Sequence, residues 1–231
     1  MDGFDDVAQT EQGLPNKLPN KLSEAVRNTL SVISADPAVT SRELAERLDV
    51  SDRTIREHIK ILKEAGYNLV TVSYGELPRV ERPSPGKPLD TGKLEECFAL
   101  ALERVMPQLK NLPEIDGAAS GGGLLLISKS IGTAVGAAWA ASRGFSPRQI
   151  LYTPVARTFD FPLALSIAFH GTADPWLGNG ECEAGCRSAG VPLYTFEGAN
   201  HSLECADVQE SIQTLSQAMH LTADFLSQGC V

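Results

Sequence analysis

Apolar residues recur at helical spacing in the first third of the chain. Leu22, Val26, Leu30 and Ile33 precede Asp36-Pro37, which predicts an amphipathic helix over 21–35 that stops before the proline. Thr40 or Ser41, with Glu43 and Glu46 just inside, opens a second helix from Ser41 to Leu48. After the turn Asp49-Val50-Ser51, Ser51 or Asp52 caps a third helix over 52–65, with Ile55, Ile59, Leu62 and Ala65 on one face and Gly66 as its terminator. The period then changes. Tyr67 to Tyr74 is rich in β-branched and aromatic residues and predicts a strand over 69–73, while Pro78, Pro83, Pro85 and Pro88 mark a loop.

A longer helix is expected from Thr91 to Gln108, with Leu94, Phe98, Leu102, Val105 and Met106 on its apolar side. Beyond Gly121-Gly122-Gly123 the expected order is strand 124–128, helix 132–143, strand 149–153, strand 165–170, helix 181–189, strand 192–196 and helix 206–227. Leu124–Ile127, Gln149–Tyr152 and Ser166–Phe169 are apolar rather than alternating, as strands covered on both faces are. The fold class is therefore α/β: a three-helix unit followed by a reduced parallel sheet flanked by helices.

Composition narrows the class without naming it. The 231 residues are 42% apolar and 21% charged with a net charge of −9, which excludes a disordered, fibrous or strongly basic chain. Apolar runs are far shorter than the roughly 20 residues a bilayer requires, and the acidic start Met1-Asp2-Gly3-Phe4-Asp5-Asp6 lacks the basic flank of a signal peptide. Five cysteines, an odd and low count, fit a reducing compartment, so a cytoplasmic protein without membrane contact is expected. The charge is uneven. From Lys17 to Lys93, 13 Lys and Arg face 11 Asp and Glu (+2), whereas from Asn111 onward 5 basic residues face 11 acidic ones (−6). Two modules of different character follow from this split.

Three short helices with a tight turn between the second and third make a helix-turn-helix arrangement, whose last helix enters the major groove of DNA. The stretch from Val39 through Arg42-Glu43-Leu44-Ala45 and Ser51-Asp52-Arg53-Thr54-Ile55-Arg56 to Gly66 resembles the winged helix-turn-helix domains of bacterial regulators. Ala45 is then the small residue at the helix crossing. Arg53, Thr54, Arg56 and Lys60 on the exposed face of helix 52–65 are the candidate contacts to duplex DNA, and useful affinity calls for a homodimer presenting two such helices. The alternative for this region is a three-helix bundle with a solvated charged face.

The candidate chemistry lies at strand ends. Ser128-Lys129-Ser130-Ile131-Gly132 passes from strand to helix one substitution away from the Gly-x-Ser-x-Gly nucleophile elbow, where small residues allow a sharp turn. Alone, such a serine is often only a helix cap. Downstream, His170-Gly171-Thr172-Ala173-Asp174 puts a carboxylate just after one strand, and Ala199-Asn200-His201-Ser202 puts a histidine just after the next. The chain order Ser130, Asp174, His201 is that of a serine-hydrolase triad on a parallel sheet. These segments, with Leu151-Tyr152-Thr153-Pro154-Val155, resemble small bacterial α/β-hydrolase-fold proteins of the dienelactone-hydrolase and esterase type over roughly residues 120–231. The resemblance implies nucleophile Ser130, acid Asp174, base His201, an oxyanion donor at the Ile131 N–H, and a small-molecule acyl substrate or ligand.

The departure from that family is the missing front of the sheet. Only strand 69–73 precedes the elbow, either as the wing of the helix-turn-helix or as a sheet strand beside 124–128; the sheet placement is favoured because the nucleophile's strand is otherwise an exposed apolar edge. Gly75 is then the nearest second oxyanion donor. The expected organisation is a tail over 1–20, the helix-turn-helix over 21–75 with strand 69–73 shared, a Pro-rich loop over 76–92 and an α/β-hydrolase-like domain over 93–231. The function expected is a serine hydrolase fused to a DNA-binding helix-turn-helix, the alternative being a regulator whose hydrolase-like part senses a ligand without turning it over. No cofactor is indicated: Gly121–Gly123 lacks the lysine of a phosphate loop, and Cys182 and Cys186 have no further ligands at metal spacing.

Overall fold

Four strands run side by side and parallel in the order in which they occur along the chain: β1 (Leu125–Lys129), β2 (Arg148–Tyr152), β3 (Ser166–Gly171) and β4 (Leu193–Phe196). This computed structural model describes Thr29, Val70, residues 72–84, 88–110, Ile115 and 123–227. The helices expected over 21–35, 41–48 and 52–65, with Arg53, Thr54, Arg56 and Lys60, lie outside the described residues apart from Thr29, which is helical and buried. The helices of the sheet domain are α1 (Thr91–Leu109), α2 (Ile131–Ser142), α3 (Asn179–Ala189) and α4 (Val208–Ser227), and a 3-10 turn at Ala156–Asp160, which the sequence pattern did not signal, follows β2.

The apolar runs become buried strands. Ile150 opposes Ile127 on one side and Ile167 on the other, and all three central residues Ile150, Leu151 and Phe169 are wholly enclosed. Leu151 and Ala168 face a layer built from Ala137 of α2, Cys182 and Cys186 of α3, and Leu177. On the opposite face Tyr152, Phe169 and Phe196 stack in sequence beneath Ala218, Leu221 and Phe225 of α4. Helix α2 is two-thirds Ala, Gly and Val and is buried around most of its circumference, because it is clamped between β1 and α1. The Arg148 guanidinium donates to the Phe225 and Leu226 carbonyls and covers the Phe225 ring, a cation at the C-terminal end of α4 where the helix dipole favours one. No helix among the described residues is long and apolar enough to cross a membrane.

One expectation is corrected. Val70, Val72 and Ser73 are not in a strand, and β1 stands at the end of the sheet without a fifth strand beside it among the described residues. The segment's backbone is taken up by α1 side chains instead. Gln108 Nε2 donates to the Ser73 carbonyl, the Ser73 N–H donates to Gln108 Oε1 at 3.2 Å, and Arg104 donates to the carbonyls of Tyr74 and Glu76, each at 2.7 Å. Val72, Tyr74 and Leu77 nonetheless pack on the α1–α2 core, so their apolar content is used for coverage rather than for a ladder.

Burial of the Tyr152 phenol, whose hydroxyl bonds Thr222 Oγ1 at 2.8 Å, pushes its pKa up to about 12 from 10. The native state therefore holds a proton that the unfolded chain releases above pH 10. Stability from this group is full below pH 10 and falls as the pH rises toward 12, by about 2–3 kcal/mol. Urea unfolding at pH 9 and at pH 11.5 should show that loss, and Tyr152→Phe should flatten it.

Candidate active site

Ser130 occupies the step between β1 and α2. Its N–H donates to the Tyr152 carbonyl at 2.9 Å, extending the ladder one residue past the strand, and the chain then reverses into the helix with Ser130 at φ 53°, ψ −130°. A non-glycine residue there costs about 1–3 kcal/mol and persists only where its surroundings enforce it. Thr133 supplies that enforcement: its N–H and its Oγ1 both donate to the Ser130 carbonyl, at 3.0 and 2.6 Å. With the Thr133 proton so used, the buried Thr158 hydroxyl of the 3-10 turn donates to Thr133 Oγ1 at 2.6 Å. Ser130 makes no capping bond to α2, so the helix-cap alternative does not describe it. Its Oγ lies 2.7 Å from His201 Nε2.

His201 Nδ1 lies 2.7 Å from Asp174 Oδ2, with the Asp174 side chain fully buried and the imidazole one-fifth exposed. Asp174 closes a turn by donating its N–H to the Gly171 carbonyl at 3.0 Å, and its Oδ1 accepts the Trp176 N–H at 2.9 Å. The His201 loop is folded on Asn200, whose Oδ1 accepts from the N–H groups of Ser202 and Glu204. The two loops are laced together: Ala173 N–H donates to the Ala199 carbonyl, and Gly198 N–H to Thr172 Oγ1. Gly171 is required where they meet. A Cβ on it would stand 2.1 Å from the Ala199 carbonyl oxygen and 2.7 Å from that of Asn200.

The structure thus brings Ser130, His201 and Asp174 into one hydrogen-bonded line at the C-terminal edge of the sheet. Ile131 opens α2 beside them, where the first N–H groups of a helix have no partner within it. Gly75 behaves differently. It sits at φ 61° with its N–H given to Ser73 Oγ at 3.2 Å. Trp176, which the sequence left unassigned, holds its ring 5.9 Å from that of His201. Cys182 and Cys186 both face the core, and their mutual interaction raises the Cys182 pKa and lowers that of Cys186. The strained Ser130 backbone and its Thr133–Thr158 support had no sequence signal beyond the small residues around the serine.

Residues 27–75 match a family described as HTH domain. No curated protein matches the chain. Among solved structures, an alpha/beta-superfamily protein from Xanthomonas campestris pv. campestris is similar at 17% identity and TM-score 0.38, over 56% of this chain and 70% of that one. TT1662 from Thermus thermophilus is similar at 13% identity and TM-score 0.40, over 58% and 67%. SOBER1 from Arabidopsis thaliana is similar at 16% identity and TM-score 0.35, over 69% and 76%. The chain joins a segment matching an HTH domain to a parallel-sheet α/β domain.

The tight passage at Gly171 is testable by itself. Gly171→Ala should lower stability by about 1–3 kcal/mol, read from the urea midpoint, because the obstruction is backbone and cannot swing aside. Gly180→Ala in α3, with open space around it, should hold or raise the midpoint.

Proposed function

We propose that the chain is a serine hydrolase acting on esters or similar acyl bonds, joined to a DNA-binding helix-turn-helix module. The observation that carries the first part is the pair of 2.7 Å contacts from His201, one to Ser130 Oγ and one to Asp174 Oδ2. With Nδ1–H donated to Asp174, Nε2 is left as the acceptor of the Ser130 hydroxyl proton. Ser130 Oγ attacks the acyl carbon as its proton passes to Nε2, and the buried Asp174 carboxylate faces the imidazolium that results. The oxyanion meets the Ile131 N–H at the start of α2. Collapse of the tetrahedral intermediate expels the alcohol, which takes the proton from His201. Water then attacks the acyl-enzyme with His201 again as base and releases the acid and the free serine.

A second reading is favoured by one observation: the Gly75 N–H is engaged by Ser73 Oγ, leaving Ile131 as the oxyanion donor on hand. In that reading the sheet domain binds a small acyl ligand with little turnover, and the module matched over 27–75 reports it to DNA. The two readings separate on chemistry. A fluorophosphonate probe should label the protein at Ser130, and Ser130→Ala should remain folded and unlabelled, since only a serine paired with a histidine is nucleophilic near neutral pH. Asp174→Asn should slow labelling by about 10³–10⁴-fold. A folded protein that stays unlabelled supports the ligand sensor and removes the hydrolase.

For the N-terminal module, Arg53, Arg56 and Lys60 at i, i+3 and i+7 share one face of the expected helix and are the proposed phosphate contacts, with Thr54 beside them. Arg56→Ala in the full chain should weaken binding to duplex DNA across sequences and reduce the log–log salt slope by about one. Fluorescence anisotropy at several salt concentrations measures both.

A further inference from the structure

We propose that His170 is a positioning residue that shares the Asp174 carboxylate with His201, and so sets how firmly Asp174 holds the His201 imidazolium. Its kinetic consequence rests on the hydrolase proposal; the shared carboxylate does not.

His170 stands near the end of β3 and is completely enclosed, as is the Asp174 side chain. Its Nδ1 lies 3.7 Å from Asp174 Oδ2, the same oxygen that meets His201 Nδ1 at 2.7 Å from another direction. Neither ring nitrogen of His170 has a hydrogen-bond partner among the described residues. A buried imidazole with two unmade hydrogen bonds is costly, and a Leu or Phe would fill the same space without that cost. Next to it across the sheet, Thr153 continues β2 at φ 44° with its buried Oγ1 also unpartnered among the described residues. Strain and unmade polar bonds gathered under one site are the pattern of a group held in readiness rather than of a packed core.

The charged and titratable neighbours of His170 come from three sides: Asp174 on the loop after β3, His201 on the loop after β4 and Glu183 on α3. Burial is the largest influence and lowers its pKa; Asp174 and Glu183 pull upward, and His201 adds to the lowering. His170 is therefore a neutral imidazole at neutral pH. With its proton on Nδ1, closing the 3.7 Å gap to hydrogen-bond distance makes it a third donor to a carboxylate that already accepts from Trp176 and His201. That bond spreads the negative charge which His201 needs when it takes the serine proton. If acid protonates His170 instead, two imidazolium rings compete for one carboxylate. Both effects disfavour protonated His201, so removing His170 favours it.

Two variants and two readouts test this. His170→Phe fills the space without a donor, and His170→Gln restores one. The first readout is the pH dependence of fluorophosphonate labelling of Ser130; the second is the NMR titration of the His201 ring, which needs no turnover. The acid limb of labelling and the His201 transition should both move to higher pH in His170→Phe, by about half a unit, and return part of the way in His170→Gln. Unmoved curves in folded His170→Phe overturn the proposal. If His170→Phe does not fold, the wild-type titration decides: coupled, two-step curves for His170 and His201 support sharing, and independent single steps overturn it. Absence of labelling in the wild type removes the hydrolase and leaves the NMR result standing. Labelling with an unmoved His201 transition removes the role of His170 alone.

Discussion

Backbone runs against backbone where β3 ends: the Gly171 carbon lies so near the Ala199 and Asn200 carbonyls that no side chain fits between them. This contact sets the distance between the loops that carry Asp174 and His201. The Ala173–Ala199 and Gly198–Thr172 hydrogen bonds keep it closed. Ser130 is fixed to the same frame through its N–H on Tyr152, one strand further along. The 2.7 Å contacts of His201 are thus the outcome of three loop ends that cannot move independently of the sheet.

Legibility in the sequence followed burial. Helices and strands of the sheet domain were readable because two-sided coverage demands unbroken apolar runs, as in Gln149–Tyr152 and Ser166–Phe169, and because Ser130, Asp174 and His201 each follow a strand. The stretch 69–73 has strand composition and misled for that reason: β-branched residues suit any half-covered extended chain, and here Gln108 takes both backbone groups of Ser73 while Arg104 takes the carbonyls of Tyr74 and Glu76. The place of Gly75 as an oxyanion donor depended on strand 69–73 lying beside 124–128, whereas its N–H direction is set by the local turn onto Ser73. His170 was visible only as the first residue of a motif. What makes it unusual, full burial with both nitrogens unmet, depends on neighbours far away in the chain.

Among the described residues the sheet has four strands, and small residues bring its helices close to it. Ala134, Ala137, Ala138 and Ala140 let α2 sit close to both the sheet and α1, so that the helix following Ser130 is densely packed. Among the described residues from 123 to 227 every acidic side chain except Asp174 is exposed, away from that core.

The Thr133–Thr158 pair has a mechanical meaning. Thr158 belongs to the 3-10 turn after β2, and two hydrogen bonds of 2.6 Å connect it through Thr133 to the carbonyl of the strained Ser130. The position of residues 156–160 is thereby tied to the peptide that positions the Ser130 hydroxyl, as the two ends of a short rigid arm are tied to each other.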